Sequence, residues 1–327
     1  MLKKLLSLSL LFISCISFVQ LPEKPINPKA KATIRTIIID PGHGGKDIGA
    51  RGLMSTESQV ALEVGLKLGK AIQKEFPEIK LVFTRTTDVL PGNLSNKDQA
   101  IRLRATMANE ARGDIFISIH CNATGARAGG WYAKRIIGHT AKVVYTGKGR
   151  KKKKKTIQLP VYENYYVENK TTGTETYVWA ADRSQAKSSY ITSEEASGEK
   201  VEDSLNILDL NSPEAKIRAS LYTKFYFKNS YTFGKYVEEE FQKAGRVYRG
   251  GVKQRNDKGI WVLQATGMPS ILVETGFITN KGEEEYLNSA DGQNQIVENI
   301  MGALKKYKEE MESSRPGNAN PPVNAGR

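Results

Sequence analysis

The chain has 327 residues, of which 39% are hydrophobic and 26% charged; this excludes a wholly disordered protein and suffices for one large domain or two ordinary ones. Lys and Arg number 49 against 35 Asp and Glu, a net charge of +14 that favours an anionic partner such as nucleic acid, lipid or cell wall. Neither a helix-turn-helix nor an RNP pattern is present, so specific nucleic-acid binding is not expected.

The first twenty residues are typical of a signal peptide. A basic start precedes the apolar run LLSLSLLFISCISFV, which is too short to span a membrane. We therefore predict that residues 1–20 are removed and that the protein is exported to the periplasm or cell envelope. Cys15 lies in a context that loosely resembles a lipoprotein site, where lipid would attach the protein to a membrane, but a plain signal peptide is favoured. After cleavage only Cys121 remains with certainty, so no intramolecular disulfide is expected.

Hydrophobic patterning then predicts alternating strands and helices. The predicted strands are ATIRTIIID (32–40), IKLVFTR (79–85) and DIFISIH (114–120), and the helices cover 57–76 and 96–111. This alternation favours an α/β fold: a three-layer domain, over about residues 33–311, with a central, mostly parallel sheet flanked by helices.

Two segments interrupt this pattern and are predicted to be insertions, at about 125–172 and 184–228. The first contains the run KGRKKKKK (148–155), expected to be a solvated, mobile loop whose charge would fit an anionic wall or membrane. The remaining predictions are strands at 173–183, 259–265 and 269–277, helices at 231–244 and 292–311, and a disordered tail at 312–327.

Four ionisable side chains fall where a ligand would bind in such a fold. His43 and His120 follow predicted strands, Glu274 ends the apolar run SILVE, and Glu57 starts the first helix. Ligands bind α/β sheets beyond the carboxyl ends of the strands. Each residue alone has an ordinary explanation in turn bonding, strand capping or the helix dipole. Together, two histidines and a carboxylate suit catalytic zinc, which uses three protein ligands and an open position.

Six motifs make the sequence similar to a known family. IDPGHGGKDIGARG, TESQVAL, RATMAN, SIHCNA, GTETYV and ILVETGFITN, in that order, resemble the motifs of zinc-dependent N-acetylmuramoyl-L-alanine amidases of the AmiA/AmiB/AmiC type. The resemblance covers about residues 33–124, 173–180 and 229–311. It implies an α/β fold, hydrolysis of the amide between N-acetylmuramic acid and L-alanine in peptidoglycan, and roles in wall remodelling and daughter-cell separation.

The resemblance also implies roles for individual residues. His43, Glu57 and His120 would bind Zn²⁺, and Glu274 would be the general base that acts on the attacking water and then protonates the leaving amine. Glu63 is a rival ligand on the same predicted helix, but it lies nearly two turns further in.

Neighbouring polar residues each have two explanations. Asp40 and Asn122 flank the two histidines and are candidates to orient them, although local turn hydrogen bonding explains them equally well. Arg104 could meet a substrate carboxylate, but a position on the helix surface is favoured. Cys121 should point away from the metal because side chains alternate along a strand.

The second insertion occupies the place where some relatives carry a helix that blocks the active site until an activator protein moves it. Glu194 or Glu195 could cap the zinc from such a helix, and an acidic surface loop explains the segment equally well. Two alternative functions stay open on the sequence alone: an exported zinc peptidase acting on stem peptides, and a wall-binding protein without activity.

Overall fold

The computed structural model describes residues 34–179, 213–256 and 259–313. The predicted signal peptide, Cys15, Glu194, Glu195 and the tail from residue 314 lie outside these ranges. The strands are β1 (Thr36–Pro41), β2 (Lys80–Phe83), β3 (Ile115–Asn122), β4 (Gly130–Thr146), β5 (Lys153–Glu168), β6 (Glu175–Val178), β7 (Val252–Gln254) and β8 (Ser270–Phe277). The α-helices are α1 (Glu57–Glu75), α2 (Lys97–Glu110), α3 (Pro213–Lys243), α4 (Trp261–Ala265), α5 (Lys281–Asn288) and α6 (Ala290–Ser313).

The predicted α/β architecture is confirmed. A six-stranded sheet has the order β2-β1-β3-β8-β6-β7. All its neighbouring strands are parallel except β6 and β8, which are antiparallel. The carboxyl ends of β1, β3 and β8 therefore meet at one edge of the sheet.

Strand side chains divide between two cores, which gives the domain its three layers. Ile37 and Ile39 of β1 point into a core shared with α1, α3 and α6, whereas Ile38 points into the opposite core with α2 and α4. All three isoleucines are fully buried. A parallel strand covered on both faces is expected to be continuously apolar, as the three isoleucines at 37–39 are.

Both predicted insertions contain regular secondary structure where the structure describes them. Residues 130–168 form a long antiparallel hairpin, and Lys153–Glu168, including three residues of the lysine run, is a strand rather than the expected loop. Residues 213–228 of the second predicted insertion form the first half of α3. Ile217 and Leu221 are exposed there, whereas Ala219 is buried.

Two further boundaries were wrong. GIWVLQA contains a short helix, α4, because a short apolar run without alternation fits a buried helix as well as a strand. Helix α6 continues to Ser313, two residues into the predicted tail. Among the described helices, none is long and apolar enough to cross a membrane.

Helix α3 carries a buried carboxyl group whose titration should affect stability. Thr176 on β6 donates a hydrogen bond to Glu238 (2.6 Å), and burial raises the pKa of Glu238 to about 7 from 4.5. Between these two pKa values Glu238 is ionised in the unfolded chain but still protonated in the folded protein. The free energy of unfolding should therefore fall as pH rises through this window. We expect a loss of up to about 3 kcal/mol, present in full above pH 7.

Urea denaturation at pH 5 and pH 8 checks this expectation. Glu238→Gln keeps a neutral side chain of the same shape, so it should remove most of the pH dependence and stabilise the fold at pH 8. Glu239→Gln removes the same charge from the partly exposed neighbour, which pairs with Lys235, and should leave the pH dependence unchanged. Equal pH dependence in the wild type and Glu238→Gln would contradict the assignment.

Candidate metal centre and active site

The loop after β1 directs His43 back over the end of the sheet at which the carboxyl ends of β1, β3 and β8 lie. His43 has a φ of 60°, and the glycines at 44, 45 and 49 also have positive φ values. A β-carbon on Gly42 would lie 2.3 Å from the ring of His120. The glycine-rich sequence is therefore needed because the backbone turns sharply and passes directly against the second histidine.

Three side chains from separate elements converge on one point. Glu57 Oε1 lies 2.7 Å from His120 Nδ1 and 3.0 Å from His43 Nε2. One ligand atom from each residue lies within 4.8 Å of the other two, and the two imidazole rings meet edge to face at 4.9 Å. The structure thus brings together the three residues that the sequence singled out as metal ligands.

Electrostatics keep this cluster ready to hold a cation. Burial opposes ionisation of Glu57, but hydrogen bonds from His120 and His43 hold its pKa well below the usual range. Burial lowers the pKa of His43, but the hydrogen bonds and negative charges of Glu57 and Asp47 together outweigh it, so the net pKa is raised. Asp47 contributes through a 2.9 Å contact with His43 Nδ1, which leaves Nε2 facing Glu57.

Glu274 lies beside this cluster without belonging to it. It stands opposite His120 in the β3–β8 register and lines the same pocket as the three converging residues. Its Oε2 atom is buried and has no hydrogen-bond partner among the described residues. Burial and the nearby charge of Glu57 raise the pKa of Glu274 well above its usual value.

Two buried arginines hold the loop that carries His43. Arg104 binds Asp40, Pro41 O and His43 O, and Arg85 binds Pro41 O, Gly42 O and Ser58 O. The expectation that Arg104 lies on a helix surface was wrong, since only 4% of it is exposed. Its position follows from the buried charge of Asp40, which needs a partner.

The residues flanking the histidines contact other groups. The Asp40 carboxylate accepts from Thr84 (2.6 Å) and Ser118 (2.7 Å) as well as from Arg104. The Asn122 amide donates to Glu175 (2.8 Å). Neither side chain contacts a histidine ring in the hydrogen bonds of the described residues.

Glu63 and Cys121, the other two predicted positions, contribute no side chain to the three-residue cluster. Glu63 accepts from Gln293 Nε2 (2.6 Å), away from the cluster. Cys121 is buried with its sulfur 3.5 Å from Thr275 Oγ1.

Sequence reasoning missed three contributors to the site. Asp47 supports His43 from four residues along the same loop, a spacing that was visible in PGHGGKD. Arg85 had no visible signal, because its role depends on the pairing of β1 with β2. Glu284 on α5 accepts hydrogen bonds from the backbone nitrogens of residues 53–55. These bonds fix the loop that leads into Glu57, although Glu284 lies 284 − 57 = 227 positions further along the chain.

The donor set fits a catalytic metal. Two imidazoles and one carboxylate would supply three ligands, the number that catalytic zinc sites use, and Glu274, which has a buried oxygen without a hydrogen-bond partner among the described residues, lines the same cavity of about 360 Å³. The fold and site together define an α/β domain in which a cluster that could hold a metal ion lies beside a buried carboxyl group, where the carboxyl ends of the strands meet.

The chain belongs to the N-acetylmuramoyl-L-alanine amidase family, whose model matches residues 37–306. It is 27% identical over 273 residues to the N-acetylmuramoyl-L-alanine amidase AmiC of Escherichia coli O6:H1, covering 83% of this chain and 52% of AmiC. It is 24% identical over 285 residues to AmiA of E. coli K12, covering 86% of this chain and 79% of AmiA. The chain thus spans about half the length of its AmiC relatives.

Solved structures show the same fold. The CwlD amidase of Clostridioides difficile, determined in complex with the GerS lipoprotein, superposes with a TM-score of 0.50 at 20% identity. The match covers 84% of this chain and 99% of that one. At this identity the likeness concerns the α/β fold alone.

Proposed function

We propose that this protein is a zinc-dependent hydrolase that cleaves the amide between the lactyl group of N-acetylmuramic acid and L-alanine in peptidoglycan. The observation that carries the proposal is the convergence of His43, Glu57 and His120 beside the unpartnered carboxyl group of Glu274, in a member of the amidase family. Substrate, metal and reaction are inferred from this combination.

Each residue of the site has a role in the proposed reaction. His43, Glu57 and His120 would hold Zn²⁺, which when bound polarises the scissile carbonyl and makes water more acidic. Glu274 takes a proton from the attacking water at its free oxygen and delivers it to the departing amine of L-alanine. Because burial raises the pKa of Glu274, the carboxyl group holds the proton long enough to pass it on.

The rest of the pocket suits a glycopeptide with carboxylates. Arg255 lines it and offers a cation for the acidic groups of a stem peptide. Lys97 lines it as well and is paired with Asp47 at 3.0 Å. Tyr177 and Trp261 supply aromatic rings of the kind that contact a sugar, each with a cation over one face, Arg255 at 5.4 Å and Arg102 at 5.3 Å.

Digestion of purified sacculi by the mature protein tests the proposal. New L-alanine amino termini should appear without new reducing ends on the glycan, a chelator should stop their release, and added Zn²⁺ should restore it. Cleavage within stem peptides would instead support the alternative of a zinc peptidase. Sedimentation with sacculi, with no product and no bound metal, would support the alternative of an inactive wall-binding protein.

We further propose that the protein acts in the cell envelope, in wall remodelling and daughter-cell separation. The signal-like N-terminus and the family support an extracytoplasmic wall substrate. An activator protein is proposed on the ground that the CwlD relative was determined bound to a lipoprotein. An inhibitory role for Glu194 or Glu195 concerns residues outside the described ranges and stays a prediction.

A further inference from the structure

The hairpin formed by β4, β5 and their connecting turn, residues 130–168, is an arm of the domain; we call it the basic arm. Its strands pair only with each other, in a two-stranded sheet separate from the central one. At about 3.3 Å per residue, the 17 residues of β4 reach roughly 50 Å. A two-stranded hairpin alone is marginally stable in water, so a partner surface is expected along the arm.

The base of the basic arm is fixed to the domain. Gly129 N donates to Thr279 O (2.9 Å), Asn169 N donates to Gly129 O (3.1 Å), and Asn280 Nδ2 donates to Asn169 O (2.8 Å). These bonds join both strands to the segment that follows β8. The arm therefore projects from a defined point close to the end of the strand that carries Glu274.

Charge on the basic arm selects an anionic partner. The arm contains ten Lys or Arg and two Glu, Glu163 and Glu168, which gives 10 − 2 = +8, and seven of the ten basic residues lie between Lys148 and Lys155. The net charge of the whole chain is +14, so this segment supplies most of the surplus. A second copy of the arm would be repelled, because lysines on an edge strand oppose pairing with a like strand.

Exposed apolar side chains on the same arm narrow the choice of partner. Val143 and Tyr145 point to one face of β4, next to the lysine run, and are 45% and 66% exposed. The arm's other exposed apolar side chains are Tyr132, Ile136, Ile137, Val161, Tyr162, Tyr165 and Tyr166. Cations and tyrosine rings would also fit a charged polysaccharide. The exposed aliphatic side chains Ile136, Ile137 and Val143 favour a lipid interface, where apolar side chains enter the acyl boundary, tyrosine rings lie at the headgroups and lysines reach the phosphates.

We propose that the basic arm binds the anionic surface of a lipid bilayer. Lysines 151–155 contact lipid phosphates, and Val143 and Tyr145 enter the boundary between headgroups and acyl chains. Binding of this kind is peripheral and weakens with salt. It holds the catalytic pocket within roughly the length of the arm from the membrane, and it needs no lipid on Cys15. The inference does not depend on which bond the enzyme cleaves.

Co-sedimentation of the full mature protein with vesicles tests the proposal. Binding is expected to equimolar phosphatidylcholine and phosphatidylglycerol at low salt, and not to phosphatidylcholine alone. Replacing lysines 151–155 with Gln should weaken binding at least a hundredfold, since each lysine near the surface contributes about 1 kcal/mol. Replacing Val143 and Tyr145 with Ser should weaken it severalfold and leave the salt dependence intact.

Matched variants separate the arm from charge in general. Gln at Lys70, Lys74, Lys80, Lys224 and Lys228, all exposed on the domain, removes the same charge and should leave vesicle binding unchanged. Arg in place of lysines 151–155 should retain binding, because the positive charge is kept, and circular dichroism of the Gln variant should match the wild type, which excludes misfolding as the cause of its loss. Equal binding to neutral vesicles, or binding unaffected by the Gln variant, would overturn the proposal. So would sedimentation with sacculi that needs the five lysines while anionic vesicles are not bound.

Discussion

Replacing Glu274 with Gln is expected to lower kcat a hundredfold to ten-thousandfold, the range that general acid–base catalysis contributes, while zinc stays bound. Gln has the same shape but cannot accept a proton from water or return one to the amine. Glu274 lines the pocket without joining the three-residue cluster, so its loss should not remove the metal. Release of L-alanine termini from a soluble muropeptide, with zinc content by mass spectrometry, measures both effects.

A control on the neighbouring helix makes this result specific. Glu63→Gln removes a carboxylate that is exposed and bonded to Gln293, and it should leave both kcat and zinc content near the wild-type values. Retained turnover in Glu274→Gln would refute Glu274 as the base. Loss of zinc in that variant would move Glu274 into the ligand set.

Replacing His120 with Ala is expected to remove both metal and activity. His120 supplies one of the three candidate ligand atoms that lie within 4.8 Å of one another. Without it two protein ligands remain, fewer than catalytic zinc sites use. Removing one group that hydrogen-bonds to a metal ligand changes metal affinity by about 10- to 100-fold, so loss of a ligand itself should have a larger effect. Zinc titration monitored by calorimetry measures affinity, and the muropeptide assay measures turnover.

The third histidine offers the matched control. His139→Ala removes an exposed imidazole from the basic arm and should change neither zinc affinity nor kcat. Circular dichroism of His120→Ala should match the wild type, because the ring lies at a strand end outside both apolar cores. Full zinc occupancy in a folded His120→Ala protein would remove His120 from the proposed ligands.

Local pattern predicted the frame of the fold well. β1, β3 and β8 are short apolar runs that end in turns, and α1, α2 and α6 have helical spacing, so each was visible from neighbouring residues. The juxtaposition of His43, His120 and Glu274 also followed from the sequence, because parallel strands in one sheet share an edge.

Three parts of the chain were predicted wrongly: α4, the first half of α3 and the hairpin strands. In each of them the local pattern does not show what the segment packs against. α4 could not be told from a strand because its apolar run is short. The first half of α3 leaves Ile217, Leu221 and Phe225 exposed and buries Ala219, so its apolar residues do not mark a single buried face that the sequence could show. The hairpin strands were hidden by a lysine run that suggests a loop when charge alone is considered.

The sequence by itself therefore determined the α/β class, the apolar strands and the residue types at the edge of the sheet, since those depend on periodicity and turn chemistry over a few residues. Only the tertiary structure decided that Arg85, Arg104 and Glu284 hold the loops that carry His43 and lead into Glu57. These contacts join residues 27 to 231 positions apart. Packing of the whole domain fixes them, and no local pattern encodes such distances.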